Sequence, residues 1–122
     1  MNKILILAAL AEGGTGVILL AYPPIVVQLL FGAEIVGAGI IMSRLAGIAL
    51  IGLGVACWPG TGTRPAFQGM VTYSTLAMLY LIYIGVRGES AGLLLWPGVV
   101  VHAILVVLLF LARFKEEKMR AA

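Results

Sequence analysis

Runs of about twenty residues with almost no charge recur four times along this chain of 122 residues. Each run is long enough, as a helix rising about 1.5 Å per residue, to cross about 30 Å of hydrocarbon. A water-soluble domain of this size needs a largely polar exterior. With 62% of its residues hydrophobic and 11% charged, the chain has too little polar material to build one. The sequence therefore predicts an all-α integral membrane four-helix bundle, a single transmembrane domain over residues 1–122.

Proline, glycine and charge punctuate the runs and place the spans at about 4–22, 35–57, 70–86 and 93–113, with a tail over 114–122. Tyr22-Pro23-Pro24 closes the first span, because neither proline donates a backbone hydrogen bond and each disfavours helix in the residue before it. The stretch IVVQLLF (25–31) is too short to cross. It reads either as a short interfacial helix or as an extension of the second span, bounded by Gly32. PGTGTRPAFQG (59–69) and RGESAG (87–92) read as solvent-facing turns, and such short connections favour antiparallel neighbours.

Lys3, Arg64, Arg113, Lys115, Lys118 and Arg120 fall on one side of this arrangement, whereas the other side has only Arg87, with Glu34 and Glu89. That bias puts both termini in the cytoplasm. Trp58, Phe67 and Phe114 then lie near the inner boundary and Tyr22 and Trp96 near the outer one, where amphipathic rings collect. The net charge of +3 does not point to nucleic acid, because the basic residues sit at segment ends rather than on one polar face. One cysteine, Cys57, and one histidine give no intramolecular disulfide and no four-ligand zinc site of those residues. Lys3, the apolar run from Ile4 and Ala9-Leu10-Ala11 imitate a signal peptide, but the apolar pattern continues to Ala21 and predicts an uncleaved span.

Helices in lipid gain little from burying apolar side chains against one another, so close association depends on small residues and interhelical hydrogen bonds. Gly39, Ser43 and Gly47 repeat every four residues on the second span beside Arg44, and Ala9, Gly13 and Gly16 flank Glu12 on the first. At about 1.5 Å per residue, Glu12 lies roughly 12 Å from the inner boundary, Arg44 about 20 Å, Tyr80 about 15 Å and His102 about 16 Å. A bare charge at the bilayer centre costs at least about 2.5–3.5 kcal/mol on insertion scales, so the expectation is that Glu12 pairs with Arg44. Such a pair is either a structural clamp that fixes helix register or part of a ligand- or proton-binding site. His102, without a second histidine for haem ligation, reads first as a hydrogen-bonded packing residue.

Tyr73, Tyr80 and Tyr83 are spaced by seven and three residues and fall on one helix face. Aromatic packing is the default; if that face turns inward, the hydroxyls and Ser74 line a cavity suited to a quinone head group, a sterol-like molecule or a lipid. Trp96-Pro97-Gly98 reads either as a kink opening such a cavity or as a belt tryptophan beside a tolerated proline. No P-loop, dinucleotide fingerprint, zincin pair or nucleophile elbow occurs, GLG (52–54) reads as helix packing, and an enzyme is the least supported class. In the tail RFKEEKMRAA (113–122), Glu116 and Glu117 offset the basic residues and leave only weak attraction to anionic lipid.

The stretch from AYPPIVVQLLFG (21–32) to SRLAGIALIGLGVACW (43–58) resembles small bacterial four-helix membrane proteins of the DoxX-like kind and related families of unknown function. The shared features are a proline-ended first helix and an arginine followed by a glycine-rich second helix. This resemblance covers the first half of the chain and implies a bacterial inner-membrane bundle with Arg44 as a site residue. By analogy it also implies an accessory role near quinone-linked oxidoreductase systems. LAEGGTG (10–16) is similar to the first helix of small multidrug resistance transporters, where a membrane glutamate exchanges protons for cationic drugs. Arg44 departs from that pattern, since it would neutralise the carboxylate. The leading expectation is a non-catalytic accessory subunit or a bundle binding a hydrophobic ligand, with a larger complex or a homo-oligomer as its setting. The alternative is a proton-coupled small-molecule transporter. The residues expected to form the site are Glu12, Ser43, Arg44, Tyr73, Tyr80, Tyr83 and His102.

Overall fold

A computed structural model describes residues 2–58 and 63–122. Among the described residues the chain forms helices α1 (Asn2–Ala21), α2 (Pro23–Phe31), α3 (Ala38–Ala56), α4 (Thr63–Arg87) and α5 (Leu95–Ala121), with no strand. By length and composition α1, α3, α4 and α5 can each cross a membrane.

Of the two readings of residues 25–31, the separate helix is the one observed. Prolines stand in the first turn of α2, where a missing N–H costs nothing. Gly32 ends it in the left-handed region at φ 62°, its N–H bonded to the Gln28 carbonyl. Two elements are longer than expected. α4 begins at Thr63, so much of the expected turn over 59–69 is helix, and Pro65 is accommodated in the first turn; residues 59–62 of that turn lie outside the described residues. The tail is not separate either. It continues α5 to Ala121, supported by an Arg113–Glu117 pair at 2.8 Å with the i,i+4 spacing of a helix. Pro97, the third residue of α5, sits in the first turn and so introduces no mid-helix kink.

α1 packs chiefly against α3 and α4 chiefly against α5. The antiparallel α1–α3 contact is set by glycine. A Cβ placed on Gly16 would meet the Gly47 carbonyl oxygen at 2.6 Å, one on Gly47 would meet the Gly16 oxygen at 2.6 Å, and one on Gly54 would meet the Ala9 oxygen at 2.9 Å. Close approach through small residues is thus present, but on Gly47 and Gly54. Gly39 meets only Ile35 of its own segment, and Ser43 is half-buried.

Leu5, Ala8 and Ala9 of α1, Cys57, Ala66 and Met70 of α4, and Leu105 and Leu109 of α5 form one apolar cluster. It ties the start of α1 to the middle of α5, beyond which α5 runs on towards the same end, so both termini lie at one end of the bundle. At the opposite end the last carbonyls of α2, which have no partners within the helix, accept from the α4–α5 connection. The Gly92 N–H bonds Leu30 at 2.9 Å and the Leu94 N–H bonds Leu29 at 2.7 Å. The outward faces are strongly apolar: Leu7, Leu10, Val17, Ile41, Ile48, Leu79, Val100 and Leu111 are all about half exposed or more.

Candidate functional site

The buried positions of α1 are Leu5, Ala8, Ala9, Glu12, Gly16 and Leu19, a single helical stripe with a carboxyl at its centre. Glu12 is 6% exposed. It stands one turn beyond Ala8 and Ala9 of the apolar cluster. On α4 the next turn beyond Met70 carries Tyr73 and Ser74, and on α5 the turn before Leu105 carries His102. Three helices thereby contribute polar groups to one layer seated on an apolar floor.

Within that layer the Tyr73 hydroxyl stands against the Glu12 carboxyl. His102 Nδ1 lies 3.8 Å from Glu12 Oε1, close enough for attraction and too far for a hydrogen bond. The Tyr73 and His102 rings meet edge to face with centroids 5.8 Å apart, which fixes the imidazole against the phenol. Two buried atoms, His102 Nδ1 and Ser74 Oγ, have no hydrogen-bond partner among the described residues. Mid-helix hydroxyls usually bond the carbonyl four residues back, as Thr15 does to Ala11 at 2.9 Å. Ser74, fully buried, does not. The layer therefore combines a carboxyl, a phenol and an imidazole, all able to hold or pass a proton, with two polar atoms left over.

The structure does not bring Arg44 to Glu12. Arg44 is exposed on α3 and makes no ion pair among the described residues. The cause is register. With Gly16 against Gly47 and Ala9 against Gly54, Arg44 stands level with Leu19, about 10 Å along the axis from Glu12 at 1.5 Å per residue.

Nor do the three tyrosines share a site. Tyr73 turns inward, whereas Tyr80 is 63% exposed and stacks on Tyr83, ring centroids 6.3 Å apart. Tyr83 also accepts a hydrogen bond from Arg87 at 2.9 Å. Tyr73 and Tyr80 point in nearly the same direction, seven residues apart; what differs is that only Tyr73 has Glu12 opposite it. Ser43 stays outside the layer, on α3. His102 does pack, but its Nδ1 is unpartnered; it was expected at the depth of Glu12, and the structure brings it within 3.8 Å of that carboxyl. The signal for this nearness is the shared spacing: Leu5–Ala8–Glu12 on α1 and His102–Leu105–Leu109 on α5 are matching three-and-four stripes. Phe67 packs edge-on against Phe110 at 5.7 Å under the Arg113 guanidinium.

Among the described residues no group of three or more His, Cys, Asp or Glu side chains could hold a metal ion. Comparison of the chain with protein-family models, curated proteins and solved structures finds no match.

Proposed function

We propose that this chain is a multi-pass protein of a bacterial inner membrane, with both termini cytoplasmic, that binds a small hydrophobic molecule through a hydrogen-bonding head group at the Glu12–Tyr73–His102 layer. A quinone or a lipid has the right chemistry: a carbonyl or hydroxyl to meet His102 Nδ1 and Ser74 Oγ, and a tail compatible with the apolar faces around the layer. The observation that carries this reading is the pair of buried, unpartnered polar atoms beside a buried carboxyl, because native interiors leave few such groups unsatisfied. With no nucleophile elbow or phosphate loop, the fitting role is a non-catalytic accessory subunit of a larger membrane complex or a homo-oligomer. Organic extraction and mass spectrometry of the mildly purified protein tests it. A stoichiometric lipid-soluble compound is expected with wild type and lost with His102→Leu; its absence from both overturns the binder.

A second reading gains from the position of Arg44. The charge expected to neutralise Glu12 lies elsewhere, so the carboxyl is free to exchange a proton, as proton-coupled export of a small cation requires. In liposomes with an imposed pH gradient, this reading expects wild type to move a lipophilic cation such as tetraphenylphosphonium and Glu12→Gln not to. Equal movement by both proteins removes it.

A further inference from the structure

Arg44 lies within the segment of α3 that is long and apolar enough to span a membrane, yet its side chain is exposed. Around it on the same face, at i−3 and i+4, stand Ile41 and Ile48, 61% and 55% exposed. An arginine in such surroundings faces acyl chains, where a bare guanidinium is strongly disfavoured. Among the described residues no carboxylate answers it. Glu12 is engaged by Tyr73 and His102, Glu89 by Arg87 and Glu117 by Arg113. Glu116 belongs to the last turns of α5, at the far end of the bundle. Glu34 lies in the linker before α3 and makes no ion pair with Arg44.

We propose that Arg44 binds the phosphate of a phospholipid head group in the leaflet at the α2 end of the bundle. Three observations converge on that ligand. Arg44 is six residues into α3, about 9 Å below the helix start at 1.5 Å per residue. Side chains on a helix lean towards its N-terminus, so the stem of Arg44 points up this short distance to the head groups rather than down into the bilayer. The N-terminus of α3 is itself the positive end of the helix dipole and its N-cap, Gly37, supplies no side chain, so guanidinium and helix end favour an anion in the same place. A phosphodiester at head-group depth meets all three; a neutral head group meets none.

The inference rests on the membrane-spanning reading, but not on any ligand at the Glu12 layer. Native mass spectrometry of the whole chain, released from bilayers of phosphatidylglycerol or phosphatidylcholine doped with diacylglycerol, tests it with wild type, Arg44→Lys and Arg44→Gln. Both phospholipids are expected to stay bound to wild type and diacylglycerol not. Arg44→Gln should lower phospholipid occupancy about tenfold, the factor one charge-assisted contact contributes, and Arg44→Lys less. Excess inorganic phosphate should not displace the lipid. In bilayers, a guanidinium carbon–phosphorus dipolar coupling should be present in wild type. Equal occupancy in wild type and Arg44→Gln, displacement by free phosphate, or a wild-type dimer that Arg44→Gln dissolves would each overturn the proposal. Flotation with liposomes after alkaline washing is the separate control: loss there sinks the membrane reading itself, whereas an embedded protein with indifferent Arg44 sinks only this inference.

Discussion

Tyr73 and His102 approach Glu12 from different helices, and their contacts with it differ in kind. The phenol is neutral and can donate to the carboxyl; the imidazole nitrogen, at 3.8 Å, is beyond hydrogen-bond reach. In a membrane interior, interhelical hydrogen bonds average about 0.6 kcal/mol and reach about 1.7 kcal/mol, because the unfolded helices find other partners. A double-mutant cycle with Glu12→Gln and Tyr73→Phe, read by reversible unfolding in mixed micelles, should give a coupling energy in that range. His102→Leu should behave otherwise. It removes an unpartnered buried nitrogen, so stability should stay within about 1 kcal/mol of wild type or rise. A larger loss would mean that His102 holds the fold together and is not held ready for a ligand. The burial of Glu12 was legible from its place in an apolar run, because any such carboxyl must be buried or paired. Its partner was not legible. Counting depth from span ends paired it with Arg44, whereas partner choice depends on which glycines meet, and Gly16 over Gly47 sets a register that carries Arg44 a turn and a half or more away.

The α1–α3 pair is the element-scale unit in which that register is stored. Gly16 and Gly47 bring two backbones so close that even a methyl group has no room, and the obstructing atoms are carbonyl oxygen and amide nitrogen, which cannot rotate aside. Gly16→Ala should therefore push the helices apart and cost about 1–3 kcal/mol, the range for overpacking. Gly14 lies two residues away with nothing within 4 Å of an added Cβ. Gly14→Ala should instead stabilise by about 0.5–1 kcal/mol through lower backbone entropy in the unfolded chain. Thermal unfolding in detergent separates the two, and equal effects would show that the α1–α3 contact is not tight. The number of long helices and their antiparallel neighbours follow from hydropathy and punctuation alone. Their true ends do not. Hydropathy measures how much of a helix is apolar, so it stops at residue 70 and at residue 113, while α4 and α5 run beyond those points on helix-compatible polar sequence such as the Arg113–Glu117 pair.

At the scale of the whole molecule, two hairpins share an apolar cluster at the end holding the termini and are stitched at the other end by Gly92 and Leu94 donating to α2. The two ends differ sharply in charge. Lys3, Arg64, Arg113, Lys115, Lys118 and Arg120 belong to the terminal end; Arg87, locally matched by Glu89 at 3.0 Å, belongs to the other. Insertion reads lysine and arginine near span ends and gives little weight to acidic residues, so the Arg87–Glu89 pair does not cancel a topogenic signal that was already the weaker one. The expected orientation has the termini in the cytoplasm and the 88–94 connection outside. Cysteine labelling can check this without altering the native thiol, because Cys57 is 2% exposed and its Sγ bonds the Ala66 carbonyl at 3.5 Å. In intact cells, Ser90→Cys should react with a membrane-impermeant maleimide while wild type stays silent. Moving positive charge should then move the protein: Lys3→Gln and Arg64→Gln combined with Ala33→Lys and Ser90→Lys should yield a mixed or inverted population, read by a fluorescent or phosphatase reporter fused after Ala122. Labelling of Ser90→Cys only after the cytoplasm is opened would reverse the orientation. The phospholipid proposed at Arg44 would then belong to the cytoplasmic leaflet, with its chemistry unchanged.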